Sequence, residues 1–199
     1  MAEDSALDTP EVIGVMGGTG VDQLDGLTNV RRQAVDTPFG APSAHLMIGT
    51  LGRQRILFLP RHGEGHRIPP SEINFRANMY ALKAMGCTQL ISISAVGSLR
   101  EHLAPGRFVL VDQFIDRTYA RAKSFFGTGL VAHVSLGDPV CHRLGSRIMT
   151  AAQAAEIEME KRGTYLVMEG PQFSTRAESE LYRSWGCDVI GMTNMPEAK

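Results

Sequence analysis

The chain is short of cysteine, of net charge and of long apolar runs, and each shortage removes a class of protein. Its three cysteines, Cys87, Cys141 and Cys187, are odd in number and widely spaced. That pattern makes neither a disulfide framework nor a zinc signature, so no metal site is expected and a reducing, cytoplasmic setting is. A formal charge of -1 without a basic block argues against a nucleic-acid surface. No apolar run approaches the roughly 18 residues of a membrane helix, and the mean hydropathy is -0.08. Residues 1–10 are acidic, lack the apolar core of a secretory signal and read as a flexible tail closed by Pro10. What is present, 199 residues of which 43% are apolar, suits one domain over residues 11–199 with a sizeable core.

The pattern alternates strands and helices. Residues 12–16 form an apolar strand running into Gly17-Gly18-Thr19-Gly20, a glycine-rich turn of the kind that cradles phosphate. The dinucleotide and Walker fingerprints both fail there, which favours a small anion. Strands are expected over 45–50 and 55–59, the second ending in Pro60-Arg61-His62-Gly63. A helix capped by Ser71 is expected over 71–85, with Ile73, Ala77, Tyr80, Ala81 and Ala84 on one face. The run from Leu90 into Ser94-Ala95-Val96-Gly97 reads as a buried strand opening into a ligand-facing exit, and another strand follows over 108–111.

Residues 112–139 show little regular periodicity and form a long, aromatic loop containing His133. A second helix is expected over 140–158 and a strand over 164–168. Thr175-x-x-Glu178 is a capping box that opens a third helix, with Ala177, Leu181 and Trp185 inward. A last strand over 189–192 reaches Thr193-Asn194-Met195-Pro196. The order indicates an α/β fold with a mainly parallel central sheet. His62 and His66 have the spacing of a helical metal pair, but Gly63, Gly65, Pro69 and Pro70 rule out a helix there.

Ligands in open α/β sheets sit beyond the carboxyl ends of strands. If the four exits converge, Thr19, Arg61, Ser94, the Ala95 N–H and Thr193 make one anion pocket. Neutral donors with a single Arg suit a phosphate that must also react as a nucleophile.

The segments Gly17 to Gly20, Asp36-Thr37-Pro38-Phe39-Gly40, Arg61-His62-Gly63, Ala95 to Arg100, Asp112 to Thr118, Glu169 to Ser179 and Met192 to Glu197 together resemble the trimeric purine nucleoside phosphorylase family, and within it the 5'-methylthioadenosine phosphorylase branch. The resemblance implies a single domain with a twisted, mixed and mainly parallel sheet flanked by helices. It implies phosphorolysis of 5'-methylthioadenosine to adenine and 5-methylthioribose 1-phosphate, with phosphate as co-substrate, no cofactor and a homotrimeric assembly. By matched position, Thr19, Arg61, His62, Ser94, Ala95 and Thr193 would hold phosphate. Met168, Phe173, Ser174 and Met192 would face the nucleoside, and His133 would reach a neighbouring subunit's methylthio pocket.

Ser174 stands where the 6-oxopurine branch has Glu. A buried Glu would lack a partner on adenine, so Ser favours the 6-aminopurine. A 6-oxopurine or methylthioinosine phosphorylase is the alternative enzyme, and an inactive nucleoside- or phosphate-binding fragment the alternative outside catalysis. In the family the aspartate that serves N7 follows the Pro-Glu of the last motif; neither Asp188 nor Glu197 occupies its place, so that acid is expected beyond Lys199.

Overall fold

The run Val12–Gly17 (β1) is apolar on both faces, as a strand with parallel neighbours on either side must be. A computed structural model describes residues 11–18 and 25–199. In it β1 pairs in parallel with Gln54–Pro60 and with Gln89–Ser92. Thr28–Gln33 (β2) and Leu46–Leu51 (β3) complete a five-stranded sheet with Gln54–Pro60 (β4) and Gln89–Ser92 (β5), in the order β2-β3-β4-β1-β5. Its core contains Val12, Met16, Leu46, Leu57 and Leu59, against which helix Phe75–Ala84 (α1) lays Ala81 and Leu82.

A second sheet has Gly97–Ser98 (β6), Gln113–Arg117, Thr164–Met168 and Val189–Gly191. With Phe108–Val109 as β7 and Met159–Glu160 as β9, these last three are β8, β10 and β11; the order is β6-β11-β10-β8, and β7 pairs with β9. β10 is parallel to both β8 and β11. Leu166 and Ile190 on one side, Tyr165, Val167 and Val189 on the other, bury its two faces. The result is one mixed, mainly parallel α/β domain, with helices His142–Ala154 (α2) and Arg176–Ser184 (α3) outside. No helix among the described residues is long and apolar enough to cross a membrane.

Several boundaries depart from the sequence expectation. The helix expected over 71–85 is a 3-10 turn at Pro70–Glu72 followed by α1, and Asn74 rather than Ser71 caps it, accepting from the Ala77 N–H at 3.2 Å. The Ser71 hydroxyl is taken up by Glu169, 2.5 Å from Oε1. Tyr80 and Ala84 are exposed, whereas Phe75, Asn78 and Leu82 are buried. The second helix stops at Ala154, and β9 follows. Phe108, expected in a buried strand, is largely exposed.

In α3 the capping box is present, but Ala177, Leu181 and Trp185 face outward and Tyr182 is the buried residue. A nine-residue helix with few apolar side chains allows two stripes at helical spacing, and packing against β10 and β11 chose the other one. The segment expected to be irregular, 112–139, begins with β8, whose alternation is too short to stand out from sequence. Residues 1–10, expected as a flexible tail, lie outside the described residues.

Candidate functional site

Parallel strands bring their carboxyl ends to one edge, and four of them meet here. At the exits of β1, β4 and β5, the Arg61 N–H donates to Gly17 O at 2.8 Å and the Ile93 N–H to Met16 O at 3.0 Å. The chain beyond β11 supplies Thr193, Asn194 and Glu197 to the same place. Arg61 is wholly buried, and Glu197 is nearly so.

The Arg61 guanidinium donates from Nε to Glu197 Oε2 at 2.6 Å and from Nη2 to Glu197 Oε1 at 3.0 Å. Nη2 also donates to Ser92 Oγ at 2.8 Å, and Nη1 to Ile93 O at 3.0 Å. Ser92 Oγ donates to Glu197 Oε1 at 2.5 Å and accepts from Asn194 Nδ2 at 2.9 Å. Asn194 Oδ1 accepts from Ser94 Oγ at 3.0 Å, and Ser94 Oγ stands 3.0 Å from Thr193 Oγ1. One hydrogen-bonded chain thus links Glu197, Arg61, Ser92, Asn194, Ser94 and Thr193. Its charged end is buried, while Ser92 and Ser94 keep solvent exposure.

Close approach is built in at Gly18: a Cβ there would stand 2.6 Å from Arg61 Nη1 and 2.9 Å from Ile93 O. Beneath the network, Tyr165 Oη is buried without a hydrogen-bond partner among the described residues. Burial pushes its phenol up, and its polar surroundings are the Thr193 hydroxyl and backbone.

Of the residues expected on phosphate, Arg61, Ser94 and Thr193 are therefore brought together. Ala95 continues from Ser94 and is exposed. His62 follows Arg61, is buried, places Nδ1 2.8 Å from Ile68 O, and stacks on His66 with ring centroids 4.1 Å apart. Burial holds its pKa below the usual imidazole value. Thr19 lies outside the described residues.

The residues expected on the nucleoside follow β10 and β11. Met168 is buried at the end of β10, with Met192 packed against the same cluster. Gly170 has φ +77°, and a Cβ there would stand 2.6 Å from Met192 Sδ, so only glycine lets the two exits come this close. Ser174 Oγ is 2.8 Å from Ser179 Oγ. Phe173 is 82% exposed. His133 is exposed within a loop that also exposes Phe125, Phe126, Leu130, Val131 and Val134.

The sequence reading passed over a second buried cluster. Arg121 Nη1 donates to Met192 O at 2.6 Å and Met195 O at 2.7 Å; Nη2 donates to Glu169 O at 2.7 Å and Met168 O at 3.5 Å; Nε donates to Glu169 Oε1 at 2.9 Å. The Glu169 carboxylate also accepts from the Tyr119 N–H at 2.6 Å and the Ala120 N–H at 3.0 Å. Burial alone would raise its pKa. The hydrogen bonds from Ser71, Ala120, Tyr119 and Arg121 outweigh that and hold it at about 2. Arg121 thus ties the β10 exit to the β11 exit. Nothing local marked it, because every one of its acceptors lies at least 47 residues away.

Comparison with known proteins agrees with this geometry. Residues 12–199 match the family model described as the phosphorylase superfamily. A protein of Geobacter sulfurreducens named S-methyl-5'-thioadenosine phosphorylase is 57% identical over 190 residues, covering 95% of this chain and 66% of the relative. One of Rhodospirillum rubrum with the same name is 59% identical over 94% of this chain and 64% of the relative. The chain therefore spans about two thirds of the length of these curated relatives, falling just short of that share. Among solved structures, methylthioadenosine phosphorylase from Schistosoma mansoni superposes with a TM-score of 0.92 at 37% identity, over 94% of this chain and 74% of that one. The enzyme of that name from an antarctic soil metagenomic library gives 0.91 at 47% identity, over 95% and 67%. With strand exits, buried arginine and matched sequence in agreement, the chain belongs to the phosphorylase superfamily.

Proposed function

We propose that this chain carries the phosphate and ribose side of an enzyme that cleaves 5'-methylthioadenosine with inorganic phosphate, yielding adenine and 5-methylthioribose 1-phosphate. The convergence of Arg61, Ser94 and Thr193 at one edge carries the reading. The names of the relatives supply the nucleoside. A phosphate oxygen forms the new bond to C1' as the C1'–N9 bond breaks, and the electron pair leaves with the purine, which takes a proton at N7. Positioning and electrostatics supply most of the rate in such a dissociative step.

In this reading Arg61, His62, Ser94, Ala95, Thr193 and Thr19 hold phosphate, and Met192 and Met168 lie under the sugar. Phe173 and Ser174 meet the base, and phosphate is a co-substrate with no further cofactor. The exposed apolar loop around His133 favours a homotrimer, in which a second copy covers Phe125 to Val134. Free cysteines at 87, 141 and 187 favour a cytoplasmic enzyme.

The test is release of free adenine from methylthioadenosine with and without phosphate, by the 199-residue chain and by a version extended to the length of the relatives. Phosphate-dependent adenine is expected from the extended version; none from either removes the proposal. Ser174→Glu is expected to move preference away from 6-aminopurines, and unchanged selectivity would remove the role given to Ser174. Light scattering in solution checks the trimer.

A further inference from the structure

Arginine carries five N–H donors. The four bonds of Arg61 to Glu197 (two), Ser92 and Ile93 O use four of them. The fifth is on Nη1, at the end that abuts Gly18. A fork engaged on both edges cannot grip phosphate in the bidentate manner for which arginine is usually chosen. The carboxylate that engages it is itself almost wholly buried, with side-chain exposures of 0% for Arg61 and 2% for Glu197. Ser92, Ser94, Thr193 and Asn194, the other members of the network, are uncharged. The pair therefore brings no net charge to the place where an anion would sit.

We infer that Glu197 is a positioning residue that sets the charge of the anion site: it cancels Arg61 and turns the guanidinium so that, among the described residues, a single Nη1 N–H stays uncommitted on the side of Gly18 and Ile93. The inference rests on the reading that these residues bind phosphate. Its consequence is a site that recognises phosphate by neutral hydrogen bonds and holds it loosely. A fully cationic pocket would bind the dianion more tightly and would lower the nucleophilicity of the oxygen that must attack the sugar. Removing the Glu197 charge leaves Arg61 buried without its carboxylate among the described residues, so the ligand becomes its counter-ion.

The experiment is calorimetric titration of the intact chain with inorganic phosphate at two salt concentrations, alongside thermal unfolding. The native protein is expected to lose less than about threefold in affinity over a tenfold rise in KCl. Glu197→Gln is expected to unfold at lower temperature yet bind phosphate about tenfold more tightly, with a steeper salt dependence. Glu197→Asp keeps the charge and is expected to return affinity and salt dependence toward native values. A merely structural Glu197 would lower stability and weaken binding together, which is the opposite direction.

Equal or weaker phosphate binding by folded Glu197→Gln overturns the inference. If that variant does not fold, a steep salt dependence in the native protein overturns it, and a shallow one supports it. Should the native protein bind no phosphate, the assignment of Arg61, Ser94 and Thr193 falls, and this inference with it. If phosphate binds and Ser94→Ala weakens it while Glu197→Gln fails to tighten it, only the inference falls.

Discussion

Two buried arginines, each paired with a buried glutamate, stand at neighbouring strand exits and do different work. Arg121 donates all five of its N–H groups, four of them to backbone carbonyls of the β10 and β11 exits. Arg61 donates four, and three of these go to side chains. A guanidinium committed to backbone carbonyls fixes the path of the chain and has nothing to offer a ligand. One tied mainly to side chains is held in place with one N–H not engaged by any acceptor among the described residues. The difference lies in the acceptors and not in burial, since side-chain exposure is about equal, at 1% and 0%.

The contrast breaks most sharply at Arg121. Arg121→Met takes the cationic partner from the buried Glu169 carboxylate and a donor from each of four carbonyls, and is expected to cost about 3–5 kcal/mol in urea unfolding. Arg121→Lys should recover little, because one ammonium cannot span five acceptor positions. A loss below about 1 kcal/mol for Arg121→Met would show that the staple contributes little.

Arg61→Ala should also destabilise, and in addition weaken phosphate binding about tenfold or more, whereas folded Arg121→Lys should bind phosphate nearly as the native protein does. Equal effects on phosphate from the two arginines would erase the distinction.

Acid bears next on the Arg121–Glu169 pair. The Glu169 carboxyl titrates at about 2 in the folded protein, against an ordinary 4.5. A folded value below the unfolded one means that this stability is fully present above about pH 4.5 and is lost as pH falls toward 2. At about 1.4 kcal/mol per unit, that is at most about 3.5 kcal/mol, and Glu169→Gln should flatten that part of the pH–stability curve. An unchanged curve would mean that the carboxylate is not held low. The smallest effect is expected from Ser92→Ala. It removes one acceptor of Arg61 and one donor to Glu197 while leaving the ion pair, so a loss of about 1–2 kcal/mol is expected from thermal unfolding.

Much of the scaffold was legible because it is local. The apolar runs at 12–16, 55–59 and 164–168 are strands within a residue or so of their expected ends, and the Thr175–Glu178 capping box opens α3 as its spacing requires. The convergence of Arg61, Ser94 and Thr193 was legible for a related reason: each sits just past a strand end. The inward face of α3 was not legible, since Leu181 and Tyr182 are adjacent in sequence and only the sheet beneath the helix selects between them.

The sequence by itself determined where strands end and which polar groups stand at those ends, because apolar periodicity, turn residues and caps act over a few residues. Tertiary structure alone decided which carboxylate meets which guanidinium. Glu197 lies 136 residues from Arg61, and Glu169 lies 48 from Arg121. A desolvated charge takes whatever counter-charge the completed fold brings within about 3 Å, and no local pattern encodes that meeting.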